Sequence, residues 1–279
     1  MLSYIGGKSK IGKWIVDFYP SDMEVYLETF GGMFWCFFNM DLKKFPNLKQ
    51  VIYNDFNSLN YNLFCCVRNP QELKRAMFDI EVQQVGVENT PTILKQQFES
   101  FQRELFNTGF TINYPDYHVA AQYVYIVTQI FSGSKPETSG FIDLKGKYKS
   151  KYITFRDKLS KDDWIEHFLN ITETRNMDFN TVIGEFDSKK TYIYLDPPYW
   201  KTENYYSNHD FDKNDHERLA KTLQNVQSKF SLSYYEFPLL HEWFPKTKYR
   251  WEEKEFVKAA AAKKGVKQNL GKELLILNY

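Results

Sequence analysis

The run from Thr191 to Trp200 constrains this chain most. Thr191–Leu195 has the aromatic and β-branched composition of a buried strand, and the strand ends at Asp196-Pro197-Pro198-Tyr199. Neither proline has an N–H and each fixes its own φ, so the chain can neither extend a ladder nor begin an ordinary helical turn there. The carboxylate, the proline carbonyl and the aromatic ring can bind and stack on a planar ring that carries an amino group. These groups predict a pocket for an aminated nucleobase, and a rigid turn with a buried tyrosine is the alternative.

Length and composition limit the remaining possibilities. The chain has 279 residues, which fits one large α/β domain or a domain with a sizeable insertion. Lys and Arg number 36 against 35 Asp and Glu, so a surface for a polyanion must come from local clustering. Cys36, Cys65 and Cys66 form no C-x-x-C pair, which favours a reducing compartment. The histidines show no metal-binding spacing, and no apolar stretch approaches the about 18 residues of a membrane span. We therefore expect no metal, no membrane and a cytoplasmic location.

Strand and helix patterns alternate at both ends of the chain, which predicts an α/β fold with a doubly wound sheet. Helical patterns cover Met33–Met40, Asn57–Val67 and most of Gln71–Ile130. We therefore predict one domain formed by 1–59 and 170–279, interrupted by a largely helical subdomain at 60–169. The predicted strands are Val25–Phe30, Gln50–Asn54, Asn170–Thr174, Thr191–Leu195, Phe230–Tyr235, Tyr249–Phe256 and Glu273–Asn278.

Two strand ends carry residues typical of nucleotide binding. The first predicted strand ends in Glu28-Thr29-Phe30-Gly31-Gly32, and glycine at this place lets backbone approach a ligand. The full G-x-G-x-x-G fingerprint is absent, so a tight structural turn is the alternative. Asp55 ends the next strand, 23 residues after Gly32, where an acid binds ribose hydroxyls in dinucleotide folds. The alternative for Asp55 is a helix cap.

The amino-terminal segment Tyr4–Lys10 contains Gly6, Gly7 and Lys8 but does not form a phosphate-binding loop. The first glycine of that motif would fall at Leu2, and no strand precedes the segment. Glycine-rich backbone with one lysine could still bind a carboxylate. A flexible terminal loop is the alternative.

A lysine-rich segment at 139–152 predicts a surface hairpin. Leu144–Lys147 has turn composition, and the alternating lysines after it would share one face of a strand, with Tyr148 and Tyr152 on the other. A two-stranded ribbon fits the major groove of DNA, and its lysines would contact phosphates. The alternative is a solvated edge strand that prevents aggregation. The lysines concerned are Lys145, Lys147, Lys149 and Lys151.

In order and spacing, these segments together resemble the Dam-like adenine-specific DNA methyltransferases, which use S-adenosylmethionine. The resemblance implies a Rossmann-like methyltransferase sheet as the catalytic domain, with 60–169 as the target-recognition subdomain that carries the hairpin. It also implies a monomer that methylates a flipped adenine in double-stranded DNA, as restriction–modification methylases do. The matching segments are Tyr4–Lys8, Glu28–Gly32, Asn54-Asp55, Asp178-Phe179, Asp196–Tyr199 and Glu273–Tyr279.

The resemblance also implies roles for single residues. Lys8 and the backbone near Gly7 would contact the methionine end of the cofactor, and Asp55 would hold its ribose. Asp178-Phe179 would contact its adenine. Asp196, Pro197, Pro198 and Tyr199 would form the catalytic turn around the target base, and Lys145, Lys147, Lys149 and Lys151 would contact DNA. The implied cofactor-binding residues are Tyr4, Gly6, Gly7, Lys8, Glu28, Phe30, Gly32, Asp55, Asp178 and Phe179.

The bulky run Met33-Phe34-Trp35 departs from the family, which commonly has small residues after the glycines. Side chains of this size would narrow the cofactor site, and they are the one feature that favours a catalytically decayed, DNA-binding methylase fold. Transfer to the amino group of cytosine is a second alternative. An RNA or protein-glutamine methylase fits less well, because those enzymes more often have Asn in place of Asp196 and lack the hairpin.

The pairs His209-Asp210 and His216-Glu217 have the composition of acid–base pairs. Methyl transfer from a sulfonium donor needs no strong base. We therefore expect these residues to lie in a loop and on a helix surface.

Overall fold

The structure is a computed structural model that describes residues 2, 7–85, 91–107, 109–131, 134–142, 151–200, 211–257 and 270–279. The chain divides into two compact units. One consists mainly of Asn57–Thr174, and the other combines Lys8–Phe56 with Arg175–Tyr279. The segment 60–169, for which an insertion was predicted, falls inside the first unit. Its assignment to target recognition stays a prediction.

The described residues form a mixed sheet of seven strands in the order β3-β2-β1-β4-β5-β7-β6. β1 pairs in parallel with β2 and β4, and β4 pairs in parallel with β5. β7 runs antiparallel to both of its neighbours. The expected Rossmann-like methyltransferase sheet is thus confirmed. The strands are β1 Val25–Glu28, β2 Gln50–Asn54, β3 Glu173–Arg175, β4 Thr191–Leu195, β5 Lys229–Tyr234, β6 Arg250–Val257 and β7 Leu270–Leu277.

The strand β4 is buried on both faces of the sheet. All five of its residues are buried. Ile193 and Leu195 enter an aliphatic and aromatic core on one face. Tyr192 and Tyr194 point to the other face, where Tyr192 packs 4.5 Å, centroid to centroid, from Tyr19. A strand buried on both faces is a nearly continuous hydrophobic run, which is how the sequence of β4 reads.

One stretch that was predicted to be helical does not form an α-helix. Met33–Met40 was predicted to be helical, but this stretch contains only a short 3₁₀ turn at Phe37–Asn39. A second 3₁₀ turn covers Leu42–Lys44. The α-helices are α1 Gly12–Val16, α2 Ser58–Val67, α3 Pro70–Val85, α4 Pro91–Leu105, α5 Tyr117–Thr128, α6 Lys151–Lys158, α7 Asp162–Asn170, α8 Phe179–Phe186, α9 Lys213–Leu223 and α10 Pro238–Trp243.

The lysine-rich segment at 139–152 is described only at its two ends. Residues 143–150, with Lys145, Lys147 and Lys149, lie outside the described residues. Lys151 and Tyr152 begin α6, so their predicted strand positions are wrong. Tyr152 and Phe155 are both buried, and residues three apart share one face of a helix. The burial of that helical face therefore favours a helix more strongly than the alternating lysines favour a strand.

No helix in the described part of the chain combines the length and apolar character that crossing a membrane requires.

Candidate active site

The loops after β1 and β4 meet where the order of strands in the sheet reverses. The chain continues from β1 to β2 on one side and from β4 to β5 on the other. In open α/β sheets, ligands bind in the crevice that forms at such a point, beyond the carboxyl ends of the strands. Glu28–Gly32 and Asp196–Tyr199 both lie at this edge, because Glu28 pairs with Tyr194 in the ladder.

Four side chains form what we call the buried charge cluster at the end of β4, namely Lys8, Asp196, Tyr199 and Glu273. Three of them are buried, and the side chain of Asp196 is 18% exposed. The Nζ atom of Lys8 lies 2.7 Å from Oδ1 of Asp196 and 3.3 Å from Oε1 of Glu273. It also donates a hydrogen bond of 2.7 Å to the hydroxyl of Tyr199. That hydroxyl in turn donates to Glu273. The carboxylate predicted to bind the target amino group is therefore held by Lys8, which Tyr199 and Glu273 fix in turn.

Burial governs the protonation of the cluster. Lys8 is 6% exposed and Glu273 1% exposed. Burial raises the pKa of the Glu273 carboxyl and of the Asp196 carboxyl, and the Lys8 ammonium opposes both shifts. The negative charge of Asp196 raises the pKa of Glu273 further. Two carboxyl groups thus share a single ammonium group in a low-dielectric site, where charge interactions are strong.

Aromatic rings fix the orientation of Tyr199. The Tyr234 ring stacks on it at 5.6 Å between centroids, and the Tyr235 ring meets it edge-on at 4.4 Å. The hydroxyl of Tyr234 is hydrogen-bonded to Nδ1 of His216. His216 is 1% exposed, so the expectation that it lies on a helix surface is wrong. It faces inward from α9 and supports the ring that packs on Tyr199.

The glycine turn after β1 lies against the end of β2. Gly32 has a φ of 49°, in the left-handed region that favours glycine. Its N–H donates a hydrogen bond of 2.6 Å to Oδ2 of Asp55, and its carbonyl accepts one of 2.9 Å from Tyr53. Asn57, not Asp55, caps α2, because its Oδ1 accepts from the N–H groups of Leu59 and Asn60. The helix-cap alternative for Asp55 is thus not the role that the structure gives it.

The side chain of Asn54 links the end of β2 to the residues that follow β1 and β3. Its Nδ2 donates to the carbonyls of Thr29 and Met177 at 2.8 and 3.1 Å, and its Oδ1 accepts from the N–H of Met177 at 3.0 Å. Asn54 is 1% exposed. The loop that carries Asp178 is therefore fixed relative to the ends of β1 and β2.

Asp178 and Phe179 lie at the start of α8. The Asp178 carboxylate caps this helix and accepts two hydrogen bonds of 2.8 Å from Arg218 on α9. Burial raises the pKa of Asp178, but the hydrogen bonds from Arg218 and from backbone N–H groups at the start of α8, together with the charge of Arg218, lower it by more, so the pKa lies below its ordinary value. The Arg218 guanidinium also lies 4.1 Å from the centroid of the Phe179 ring. Phe30 packs against Phe179 at 5.7 Å, so two of the predicted cofactor-binding rings are brought together.

Two side chains of the bulky run after the glycines, Met33 and Phe34, point into the core. Met33 is 2% exposed, and Phe34 is fully buried against Tyr26, Phe37 and Tyr53. Phe34 has a φ of 56°, which is rare for a residue that is not glycine. This backbone conformation lets the two side chains enter the core.

Comparison with known families decides between the remaining alternatives. Residues 4–258 match the MethyltransfD12 family, described as D12 class N6 adenine-specific DNA methyltransferase. The chain belongs to this family. It is therefore an adenine-specific DNA methyltransferase, as the resemblance implied, and neither the cytosine alternative nor the decayed one is favoured.

Two curated relatives of this methyltransferase show the same class of enzyme. Over 231 residues it is 23% identical to the Type II methyltransferase M.CviBI of Paramecium bursaria Chlorella virus NC1A, covering 82% of this chain and 80% of that one. Over 76 residues it is 37% identical to the Type II methyltransferase M2.HphI of Haemophilus parahaemolyticus, covering 27% and 21% of the two chains.

Of the other predicted site residues of this methyltransferase, some are exposed, one is buried and several lie outside the described residues. Gly7 is exposed next to the cluster lysine. The Glu28 carboxyl is buried and accepts a hydrogen bond of 2.5 Å from Tyr26, and burial raises its pKa well above the ordinary value. Lys151 is exposed on α6. Tyr4, Gly6, Lys145, Lys147, Lys149, His209 and Asp210 lie outside the described residues. Across the described ranges, no group of three or more His, Cys, Asp or Glu side chains is placed to hold a metal ion.

Sequence reasoning gave no role to three residues of this site, which are Glu273, Arg218 and His216. One feature of the sequence could have pointed to Glu273, because it is an acidic residue directly before the apolar run Leu274–Leu277 of a strand inside the sheet. A weaker feature could have pointed to His216, because it precedes Leu219, Ala220 and Leu223 at helical spacing on the buried face of α9. No such feature pointed to Arg218, because its partner Asp178 lies 40 residues away in sequence.

Proposed function

We propose that this DNA methyltransferase transfers a methyl group from S-adenosylmethionine to the exocyclic amino group of an adenine flipped out of double-stranded DNA at a defined sequence. The main support is the Asp196–Tyr199 turn in the crevice at the end of β4, fixed by Lys8 and Glu273. The relatives named as type II methyltransferases support action at a defined site.

The residues of the crevice fit the proposed cofactor. The Asp55 carboxylate, already bonded to the Gly32 N–H, is a suitable acceptor for ribose hydroxyls. Asp178 and the rings of Phe30 and Phe179 offer an acceptor and flat surfaces for its adenine. When bound, S-adenosylmethionine supplies a methyl group on a sulfonium sulfur, which is already a good leaving group. The protein must therefore act mainly on the nucleophile.

The target amino group is weakly nucleophilic because its lone pair is delocalised into the purine ring. Asp196 and the carbonyl of Pro197 can accept its two hydrogens and favour a tetrahedral nitrogen. Tyr199, whose hydroxyl is held by Lys8 and Glu273, orients the purine for in-line transfer. Positioning of this kind contributes up to about 7–11 kcal/mol to a barrier in well-oriented cases, and fixed charge adds to it.

The target base must leave the duplex to reach this turn. Flipping costs a few kcal/mol, which stacking and hydrogen bonds in the pocket offset. We propose that the helical unit, with the lysine-rich segment that precedes α6, supplies the DNA contacts outside the pocket. We also propose that the protein works as a monomer in the cytoplasm, since the cluster is complete within one chain.

The test is methylation of DNA by the purified protein and by cells that express it. We expect radiolabelled S-adenosylmethionine to yield N6-methyladenine in DNA, and methylation-sensitive sequencing to place it at one short sequence. Asp196→Ala, which removes the acceptor, should abolish the product. The proposal is wrong if the wild-type protein yields 4-methylcytosine, or if Asp196→Ala is as active as the wild type.

A further inference from the structure

We propose that Glu273 gives the buried charge cluster an excess of one carboxylate, and that this excess makes the site select the positively charged methyl donor over its neutral thioether product. This inference rests on the proposed use of S-adenosylmethionine. It assigns Glu273 as a specificity-determining residue on β7, outside the Asp196–Tyr199 turn.

The geometry places Glu273 inside the cluster. Its Oε1 accepts from the Tyr199 hydroxyl and lies 3.3 Å from Lys8 Nζ, whereas Lys8 lies closer, at 2.7 Å, to Asp196. Within the described residues, the ion pairs of Glu273 involve Lys8 alone. Lys8 can therefore balance only one carboxylate of the pair, so the other has no balancing cation among the described residues when both are ionised.

In the part of the chain that the structure describes, the other ionisable groups that face the cluster do not balance this charge. Burial raises the pKa of each of them, which keeps the phenols and the thiol neutral and favours the protonated form of Glu28. His216 reaches the cluster only through Tyr234, to which it is hydrogen-bonded. These groups are Glu28 on β1, Cys36 in the turn after it, Tyr194 on β4, Tyr199 itself and Tyr235 after β5.

The donor and the product differ by one methyl group and one positive charge. Reacting atoms stand about 3–3.5 Å apart before transfer, so the methyl carbon must lie at this distance from the nitrogen that Asp196 would hold, with the sulfur one bond beyond it. An excess carboxylate near this point attracts the sulfonium and has no corresponding effect on a neutral thioether. Every other contact is common to both molecules and cancels in the ratio of their affinities.

Proton linkage follows from the same charge. In the empty site the burial of Glu273, together with Asp196, raises the pKa of Glu273, so its carboxyl retains a proton to higher pH than an exposed glutamate would. A bound cation lowers that pKa, and the proton passes to solvent buffer. Donor affinity should therefore increase as the pH rises through the raised pKa, whereas product affinity should stay nearly constant.

The experiment is calorimetric titration of the full chain with S-adenosylmethionine and with S-adenosylhomocysteine at several pH values. Glu273→Gln keeps an oxygen that can accept from Tyr199 but removes the charge. We expect it to weaken the donor about tenfold or more. The product should change less, and proton release on donor binding should disappear. Glu253→Gln, at an exposed carboxylate paired with Lys272, is the matched control and should leave both affinities unchanged.

The outcomes separate this inference from the proposed function. Equal weakening of donor and product by Glu273→Gln would overturn the inference and leave the proposed cofactor in place. Failure of the wild type to bind either molecule would overturn the proposed cofactor itself. If Glu273→Gln does not fold, the wild type alone decides, because an affinity ratio that does not change with pH contradicts the linkage.

Discussion

The ring of Tyr53 lies directly against the backbone of Gly31. A Cβ atom built at position 31 would stand 2.2 Å from Cε2 of Tyr53, far inside van der Waals contact. Tyr53 is fully buried, and its hydroxyl donates to the carbonyl of Gly32. The ring therefore cannot move without breaking the bond that fixes the turn after β1.

Gly31→Ala should destabilise the protein by about 1–3 kcal/mol, the usual range for overpacking a buried site. Urea denaturation followed by circular dichroism measures this change. Gly184→Ala on α8 is the matched control, because a Cβ there meets nothing within 4 Å. Alanine in an exposed helix should stabilise by about 0.5–1 kcal/mol. Equal stability of the two variants would contradict the packing argument.

Asp55→Ala should weaken S-adenosylmethionine and S-adenosylhomocysteine alike, by about 1–3 kcal/mol, because both would lose an acceptor for ribose hydroxyls. Calorimetry measures both affinities. Asn57→Ala removes the cap of α2 and should lower stability by about 1 kcal/mol without changing either affinity. If the two variants behave alike, Asp55 has a structural role only.

Tyr234→Phe should destabilise the protein by about 1–3 kcal/mol, because it removes the hydroxyl partner of a buried histidine nitrogen. His216→Phe removes the other partner, so the double variant should cost less than the sum of the single changes. Thermal denaturation of the four proteins completes the cycle. Strict additivity would show that the hydrogen bond contributes nothing measurable.

Replacement of Lys145, Lys147 and Lys149 by alanine should weaken DNA binding across sequences. For each phosphate that the variant no longer neutralises, the slope of log affinity against log salt should become shallower by about one unit. Fluorescence anisotropy at several salt concentrations measures that slope. Alanine at the exposed residues Lys43, Lys44 and Lys49 controls for the removal of charge elsewhere. An unchanged slope in the first variant would indicate that the DNA-binding surface lies instead on the helices between Gln71 and Ile130.

The sheet was predictable because its strands have local signals. Gln50–Asn54 and Thr191–Leu195 were predicted with the observed bounds, since each is an apolar run that ends at a polar residue or at prolines. Met33–Met40 was predicted to be a helix from its apolar composition, but Phe34 and Phe37 are buried beside the glycine turn instead, and only a short 3₁₀ turn forms. The contacts of Lys8 with Asp196 and Glu273 join distant parts of the chain, and no local pattern encodes such a pairing.

The buried charge cluster also sets the order in which this part of the protein can assemble during synthesis. Lys8 precedes β1 in the chain, whereas Glu273 lies on β7, so the lysine is translated long before its partner. The ion pair between them can form only after β7 has been translated. A nascent chain that stops before β7 therefore holds Lys8 and Asp196 without the second carboxylate of the cluster.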